Sequence, residues 1–556
     1  MSSTQKIAQH DYSTDVLIIG GGIAGITAAF EALDANLRVI LVDAEPETEF
    51  GGQANQAFGG MLLINTPEQR KNGISDSPEL LYRDWCVAAQ FGEQDVWGKR
   101  WAYEYAYHCK SEIYDWLQHR GIRFFPAVQW VERGNHGDGN SRPRYHIAWG
   151  CGRGIVQTLI QQLRTHKNAA KLSLLFEHRV ESLTLAKNGV TGCVGLNAEE
   201  NQFRVQAMST VVCSGGINGN LEQVRAHWAD IYGRFPENIL SGVSPAADGS
   251  VHHAVSEIGG QVINLGYMWN YAAGIAHPQP QFPHHGLSLI PPRSALWFNA
   301  HGERIGPMPM VTGFDTHDLC KRTGQQPGQY TWQVMNWRIA AKELAISGTD
   351  ENPHFRDKKI LKVIWQTLRG NHRLVQWLTD ECPDVVMADT LEQLIEKMQA
   401  LEPRIAINGE QLAADIKHYD NQINAGPSFW NDDQLRRIQQ LRQWRSDRLR
   451  TCKFQKIMDP KAGPLIAIRE RIISRKSMGG IQTNLQAQVL DAKGSAIPGL
   501  FAAGEAAGFG GGGISGIRSL EGTFLSNCIF NARRAIQAIT HISEQSNALE
   551  RNGSSL

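Results

Sequence analysis

No two cysteines form a CxxC pair: the nine in the chain are scattered singly from Cys86 to Cys528. That spacing excludes a zinc finger or ribbon and a disulfide framework, and it reads as a set of reduced thiols. Neither sign of charge is in excess, because Lys plus Arg and Asp plus Glu each number 55. The chain therefore carries no global field to draw nucleic acid or an anionic membrane. No apolar run reaches the ~20 residues of a membrane span. The polar stretch from Met1 to Asp15 also lacks the basic-then-apolar order of a secretory signal, so the expected location is the cytoplasm. His252-His253 and His284-His285 have no carboxylates at ligand spacing, and no metal site is expected.

What is present is an ordinary globular composition, 42% hydrophobic and 20% charged, in 556 residues. A chain of that length exceeds one small core, so two domains, one of them split, are expected. Asp15-Val-Leu-Ile-Ile reads as a buried parallel strand, Ile23 to Leu33 as an alanine-rich helix, and Arg38-Val-Ile-Leu-Val as a second strand ending at Asp43. Further strands are expected at Leu172 to Phe176, at Thr210-Val-Val-Cys, and at Gly499-Leu-Phe-Ala-Ala-Gly. The middle of the chain is rich in Trp, His and Pro, with amphipathic helices expected over Trp337–Ile346 and Leu435–Arg450. The arginines of the second read as a solvated face. The Ser/Asn-rich tail after Ser543 reads as frayed.

Between the first strand and helix lies Gly20-Gly-Gly-Ile-Ala-Gly25, a GxGxxG pattern through Gly20, Gly22 and Gly25. The first glycine permits a tight turn and the second lets the backbone approach a pyrophosphate. The third lets helix pack on strand, with the helix N-terminus facing the anion. Asp43, closing the second strand, is placed to accept hydrogen bonds from the adenosine ribose. FAD fits better than NAD. Gly51-Gly-Gln-Ala-Asn-Gln-Ala-Phe-Gly-Gly60 supplies a second glycine-bracketed loop, and Leu500-Phe-Ala-Ala-Gly-Glu505 offers Gly504 and an acidic residue near the C-terminus. A second formal GxGxxG, at Gly511, Gly513 and Gly516, lacks a downstream acid and reads as backbone passing near a flat ring.

These motifs occur in the order GGGIAGITAAFEAL, GGQANQAFGG, Val212-Cys-Ser-Gly-Gly216, Met478-Gly-Gly-Ile481, GLFAAGEAAGFGGGG. Together they resemble the fumarate reductase/3-ketosteroid dehydrogenase superfamily of flavoproteins. Asn65-Thr-Pro-Glu-Gln-Arg70, Leu240-Ser-Gly-Val243 and Leu520-Glu-Gly-Thr-Phe524 narrow the resemblance to a bacterial branch of FAD-binding dehydrogenases, FAD-binding-2 type, that is often labelled ketosteroid-dehydrogenase-like. The resemblance implies an α/β protein with a Rossmann-like, glutathione-reductase-type FAD domain. That domain is discontinuous (1–240 and 461–556) and carries an inserted α+β capping domain (241–460). It implies backbone near Val180 at the adenine, and Gly215 in the strand-end turn at the cofactor. Covalent members hold the flavin through a histidine in the early loop. Gln53 stands at that place, so noncovalent FAD is expected.

The superfamily interconverts C–C and C=C bonds beside a carbonyl or carboxylate, moving a hydride to or from flavin while a side chain transfers a proton. Candidate catalytic residues are Lys476 and Arg518 as a carboxylate clamp, Tyr271 or its neighbour Tyr267 as a proton relay (packed aromatics being the alternative), and the Gly513 N–H as a carbonyl polariser. Phe509 stands where ketosteroid dehydrogenases carry a tyrosine. Lys476 and Ser515 stand where fumarate reductases carry histidines. The leading expectation is an FAD-dependent dehydrogenase of an apolar, ketosteroid-like carbonyl compound with an unidentified electron acceptor. A reductase of an unsaturated carboxylate and a protein with structural FAD are the alternatives. His146 is a further candidate for the flavin pocket or a structural histidine, and Trp269, Trp297, Trp332 and Trp337 suit either an apolar ligand or a core.

Overall fold

The computed structural model describes residues 9–134 and 137–553; most of the N-terminal stretch read above for a signal (1–8) lies outside them. Strand β1 (Gln9–Ile19) ends in Val16, Leu17, Ile18 and Ile19, all buried, as a strand covered on both faces requires. Helix α1 (Ile23–Asp34) follows and buries Ala24, Ala28, Ala29 and Ala32, small side chains that let it lie close to the sheet. Strand β2 (Val39–Val42) then pairs parallel with β1, Val16 facing Val39. This is the expected βαβ unit.

The first sheet is assembled from both ends of the chain. On one side of β1 lie β2 and then Leu172–Leu175. On the other lie Gln202–Val212, Ala496–Ala502 and the edge strand Gln488–Leu490. A hairpin of His178–Ala186 and Gly189–Asn197 extends from the 202–212 strand. The long helix Thr523–Gly553 packs against α1. It also continues to Gly553, into the tail that the sequence marked as frayed.

A second eight-stranded sheet is built around Leu465–Ser477, flanked by Tyr330–Asn336 and Met268–Ala276. Helices between 316 and 450 cover it and bury a separate core that includes Trp297, Trp332, Tyr419 and Ile466. Trp269, Trp297 and Trp332 are core residues, and Trp337 stacks on His372. The expected helix from Trp337 stops at Glu343, because Ala345–Ile346 pair as a strand with Leu289 and Ile290. The Leu435–Arg450 helix is interrupted: Asp433–Leu441 and Arg445–Arg450 are separate, and the Arg442 guanidinium donates to the Arg448 and Thr451 carbonyls at the break. Arg436, Arg445 and Arg448 are exposed. Arg437 rests over the Phe314 ring, 4.9 Å away.

The sequence placed the return to the nucleotide domain at 461, yet Leu465–Ser477 hydrogen-bonds throughout in the second sheet, and the first resumes at Gln488. The C-terminal end of that strand, Arg475 to Ser477, nevertheless reaches the groove between the sheets. No helix among the described residues is long and apolar enough to cross a membrane.

Candidate active site

The turn after β1 shows what each glycine does. A Cβ on Gly25 would sit 1.9 Å from the Gly20 carbonyl oxygen, and one on Gly20, at φ +109°, 2.4 Å from that of Cys213. Both positions are closed by the protein itself. Gly22 differs: its φ of −69° suits any residue, and a Cβ there would meet nothing within 4 Å. The backbone there faces open space at the N-terminus of α1, which is where an anionic group gains from unpaired N–H donors. Asp43 accepts from the Gly21 N–H and, at 2.8 Å, from Glu45 N–H. Burial pushes its carboxyl above the usual range.

One groove runs from this turn toward the second sheet. Gly20, Gly22, Asp43, Gly51, Gly52, Gln53, Gly59, Gly60, Val180, Gly215 and Glu505 line it. Gly25 lies behind the turn. Gly504 also lies outside the groove wall, its N–H donating to Asn531 Oδ1 at 2.8 Å. Gln53 is tied to the opposite wall: its Nε2 donates to the Gly242 carbonyl at 3.1 Å and its Oε1 accepts from Ser244 N–H at 3.3 Å. Glu505 accepts from Ser477 N–H at 2.9 Å, and burial lifts its carboxyl to about 7.

At the far end the groove is walled by Tyr145, Tyr271, Arg475, Lys476, Phe509, Glu521 and Phe524. The Tyr271 hydroxyl donates to Glu521 Oε2 at 3.0 Å. Burial, and then the Glu521 charge, hold the Tyr271 phenol well above 10. Tyr145, half-buried beside the same carboxylate, is raised in the same direction by desolvation and then the Glu521 charge. Phe509 and Phe524 pack with ring centroids 4.9 Å apart, and Lys476 Nζ lies 4.6 Å over the Phe524 ring. Burial, reinforced by Arg475, brings the Lys476 ammonium down to about 8. The Arg475 guanidinium donates to the Gly242 carbonyl at 2.7 Å, and its Nε has no hydrogen-bond partner.

Two expected catalytic groups stand elsewhere. Arg518 faces Asp315 at 3.4 Å and Asp138 at 3.9 Å and does not line the groove, so it forms no clamp with Lys476. The Gly513 N–H already donates to the Gly510 carbonyl at 3.2 Å inside its own loop. Neither Gly513 nor Ser515, which donates to Ser519, reaches the groove. His146 is fully buried between the Thr66 hydroxyl and the Arg144 carbonyl, each at 2.7 Å, and burial holds it down at about 4. It is a neutral structural histidine. Among the described residues no three His, Cys, Asp or Glu side chains cluster as a metal site.

Tyr145, Arg475 and Glu521 were not singled out from sequence. Each lies inside a motif quoted for another reason: Tyr145 next to His146, Arg475 next to Lys476, Glu521 in Leu-Glu-Gly-Thr-Phe. Charged and phenolic residues inserted among apolar and glycine positions were the available signal.

A long groove that opens at an unobstructed glycine, passes the buried Asp43 and ends against two flat rings has the shape of a flavin-dinucleotide site. Residues 15–525 match the family model for an FAD binding domain. The chain belongs to this family of flavoproteins, and its cofactor is FAD. It is 39% identical over 543 residues to a KsdD-like steroid dehydrogenase of Mycobacterium tuberculosis, with 94% of this chain and 95% of the relative covered. Its fold is shared with the 3-ketosteroid-Δ4-(5α)-dehydrogenase of Rhodococcus jostii in complex with 4-androstene-3,17-dione. The TM-score there is 0.63 at 18% identity, over 97% of this chain and 99% of that one. A flavocytochrome c3 fumarate reductase in its open conformation is similar at TM-score 0.65 and 20% identity, over 95% and 78%.

Proposed function

We propose that the chain is an FAD-dependent dehydrogenase that removes hydrogen from a CH–CH unit beside the carbonyl of a flat, apolar, steroid-like ketone. The observation that carries this reading is the Tyr271–Glu521 hydrogen bond at the aromatic end of the groove. Bound FAD supplies a hydride acceptor. The protein has to hold the substrate flat and take a proton from the neighbouring carbon.

Tyr271 alone is a poor base, since its phenol resists ionisation. With Glu521 as acceptor, its oxygen takes the substrate proton while its own proton passes to the carboxylate, and no free phenolate is needed. Phe509 and Phe524 offer ring faces for an apolar skeleton. Arg475 and Lys476 place positive charge where an oxygen becomes negative as the C–H bond breaks. Gln53, an amide in the loop where a histidine would be needed for covalent attachment, leaves the flavin noncovalent. The cofactor domain then comprises the first sheet with α1 and the C-terminal helix, and the strand 465–477 goes with the cap.

The carboxylate-reductase reading loses Arg518, which is engaged by two aspartates. Dye-linked turnover of the holoenzyme on saturated steroid ketones, cyclic ketones and dicarboxylates separates the two. The expected result is a steroid product with one additional C=C bond by mass spectrometry. Turnover confined to dicarboxylates would sink the proposal.

Lys476 sets the alkaline side. It is a cation below a pKa of about 8 and neutral above it, so kcat/KM is expected to fall as pH rises through that value. Lys476→Arg, which stays protonated, should remove this fall. A wild-type profile that stays flat through the same range would show that the Lys476 charge plays no part.

A further inference from the structure

The helix Ile360–Arg369 buries none of its ten residues. Ile360 is 42% exposed, Leu361 78%, Ile364 47%, Trp365 62% and Leu368 60%. The next richest helix, Val96–Cys109, exposes three large apolar side chains, so this is a concentration and not the usual scatter. At about 100° per residue the five fall in one continuous arc. Val363 and Gln366, both half-buried, lie on the opposite side, and half-buried Thr367 stands at the edge of the arc beside Ile360.

The flanks of that arc are basic. From 356 to 373 the chain carries Arg356, Lys358, Lys359, Lys362, Arg369 and Arg373 against Asp357 alone. Asp357 is shared by Arg356 and Lys359. Lys358, Lys362, Arg369 and Arg373 have no carboxylate partner among the described residues, and Arg369 lies over the Trp365 ring at 5.2 Å. A neutral total charge conceals this local excess.

Position gives the face a use. Val363 packs in a cluster with Phe58 and Phe355, and Phe58 lines the groove. Just before the helix, Thr349 N–H donates to the Gln56 carbonyl at 3.0 Å. The exposed apolar face therefore stands on the segment that forms one wall of the groove.

We propose that the helix Ile360–Arg369 is an interfacial anchor that seats its Leu361/Trp365/Leu368 face in an anionic lipid surface beside the groove. An exposed apolar arc with Trp and Leu, bordered by Lys and Arg, is what such a surface selects. A ten-residue helix is too short to span a bilayer, so it lies in the interface. An apolar substrate then reaches the groove from lipid and not from water.

The test is vesicle flotation of the full-length holoenzyme, with vesicles of phosphatidylcholine alone or mixed with phosphatidylglycerol, alongside its mass by light scattering. The protein is expected to float with the mixed vesicles and at least ~10-fold less with phosphatidylcholine. Leu361→Glu with Trp365→Glu should lower the bound-to-free ratio by ~10-fold or more, and Lys358→Glu with Lys362→Glu should do so on the mixed vesicles. Dye-linked turnover of a soluble substrate should be unchanged in both variants. Absence of flotation on the mixed vesicles, or equal flotation on both, overturns the proposal. So does a dimer that Leu361→Glu with Trp365→Glu dissociates, since the face would then belong to a second copy of the chain. Binding is read without turnover, so failure here leaves the dehydrogenase reading standing.

Discussion

Tyr271→Phe is expected to lower kcat/KM by about 10²- to 10⁴-fold, the usual range for a lost proton-transfer group, with flavin content unchanged. The ring stays and only the hydroxyl goes, so packing at the end of the groove is retained. What disappears is the link between substrate and the Glu521 carboxylate, 3.0 Å from the Tyr271 oxygen. Glu521→Gln keeps the shape and removes the acceptor, and a fall of similar size is expected. Because the two side chains form one relay, the double variant should be little worse than the poorer single variant. Effects that multiply would mean that Tyr271 and Glu521 act separately, and the relay would be wrong. Rates of flavin reduction as a function of ketone concentration, wild type against the three variants, provide the check.

Gly22→Ala is expected to yield a folded protein that purifies without colour, with FAD affinity down by about 100-fold or more. The added methyl meets no protein atom within 4 Å, so the fold has no reason to resist it. Only a cofactor pressed against that backbone does. Gly25→Ala is the counterpart. Its Cβ would stand 1.9 Å from the Gly20 oxygen, so helix and turn must separate, at a cost of about 3 kcal/mol or more. Thermal melts of the two apoproteins, with FAD titrations beside them, distinguish the cases. Equal losses of stability would mean that Gly22 serves the turn and not the ligand.

The glycine-turn end of the groove was legible in the sequence because its demands are local. A tight turn, a close backbone approach and a helix N-terminus are made by neighbours, and Gly20 to Gly25 with Asp43 display them in one stretch. The strands at 172, 210 and 499 could be read as apolar runs, and the split of the nucleotide domain followed from their distance apart. The reacting end was harder. Tyr145, Tyr271, Arg475 and Glu521 come from four separate segments, and only the fold brings them to one wall. Arg518 and Gly513 show the reverse error. Both lie in or near the late glycine loop, yet Asp315 and the Gly510 carbonyl engage them before any substrate can. The sheet that Leu465–Ser477 joins was hidden for a similar reason: nothing local in the strand reveals which of the two it will pair with. The basic, apolar helix at 360–369 was hidden by averaging, since total charge and overall hydrophobicity say nothing of one exposed face.

Anaerobic titration of the bound flavin tests the central claim most directly. Saturated steroid ketone added to the oxidised holoenzyme is expected to bleach the flavin absorbance in proportion, one ketone per flavin, with the colour restored by an artificial acceptor. A flavin that stays oxidised with every steroid and cyclic ketone, or that bleaches only with a saturated dicarboxylate, would contradict the account.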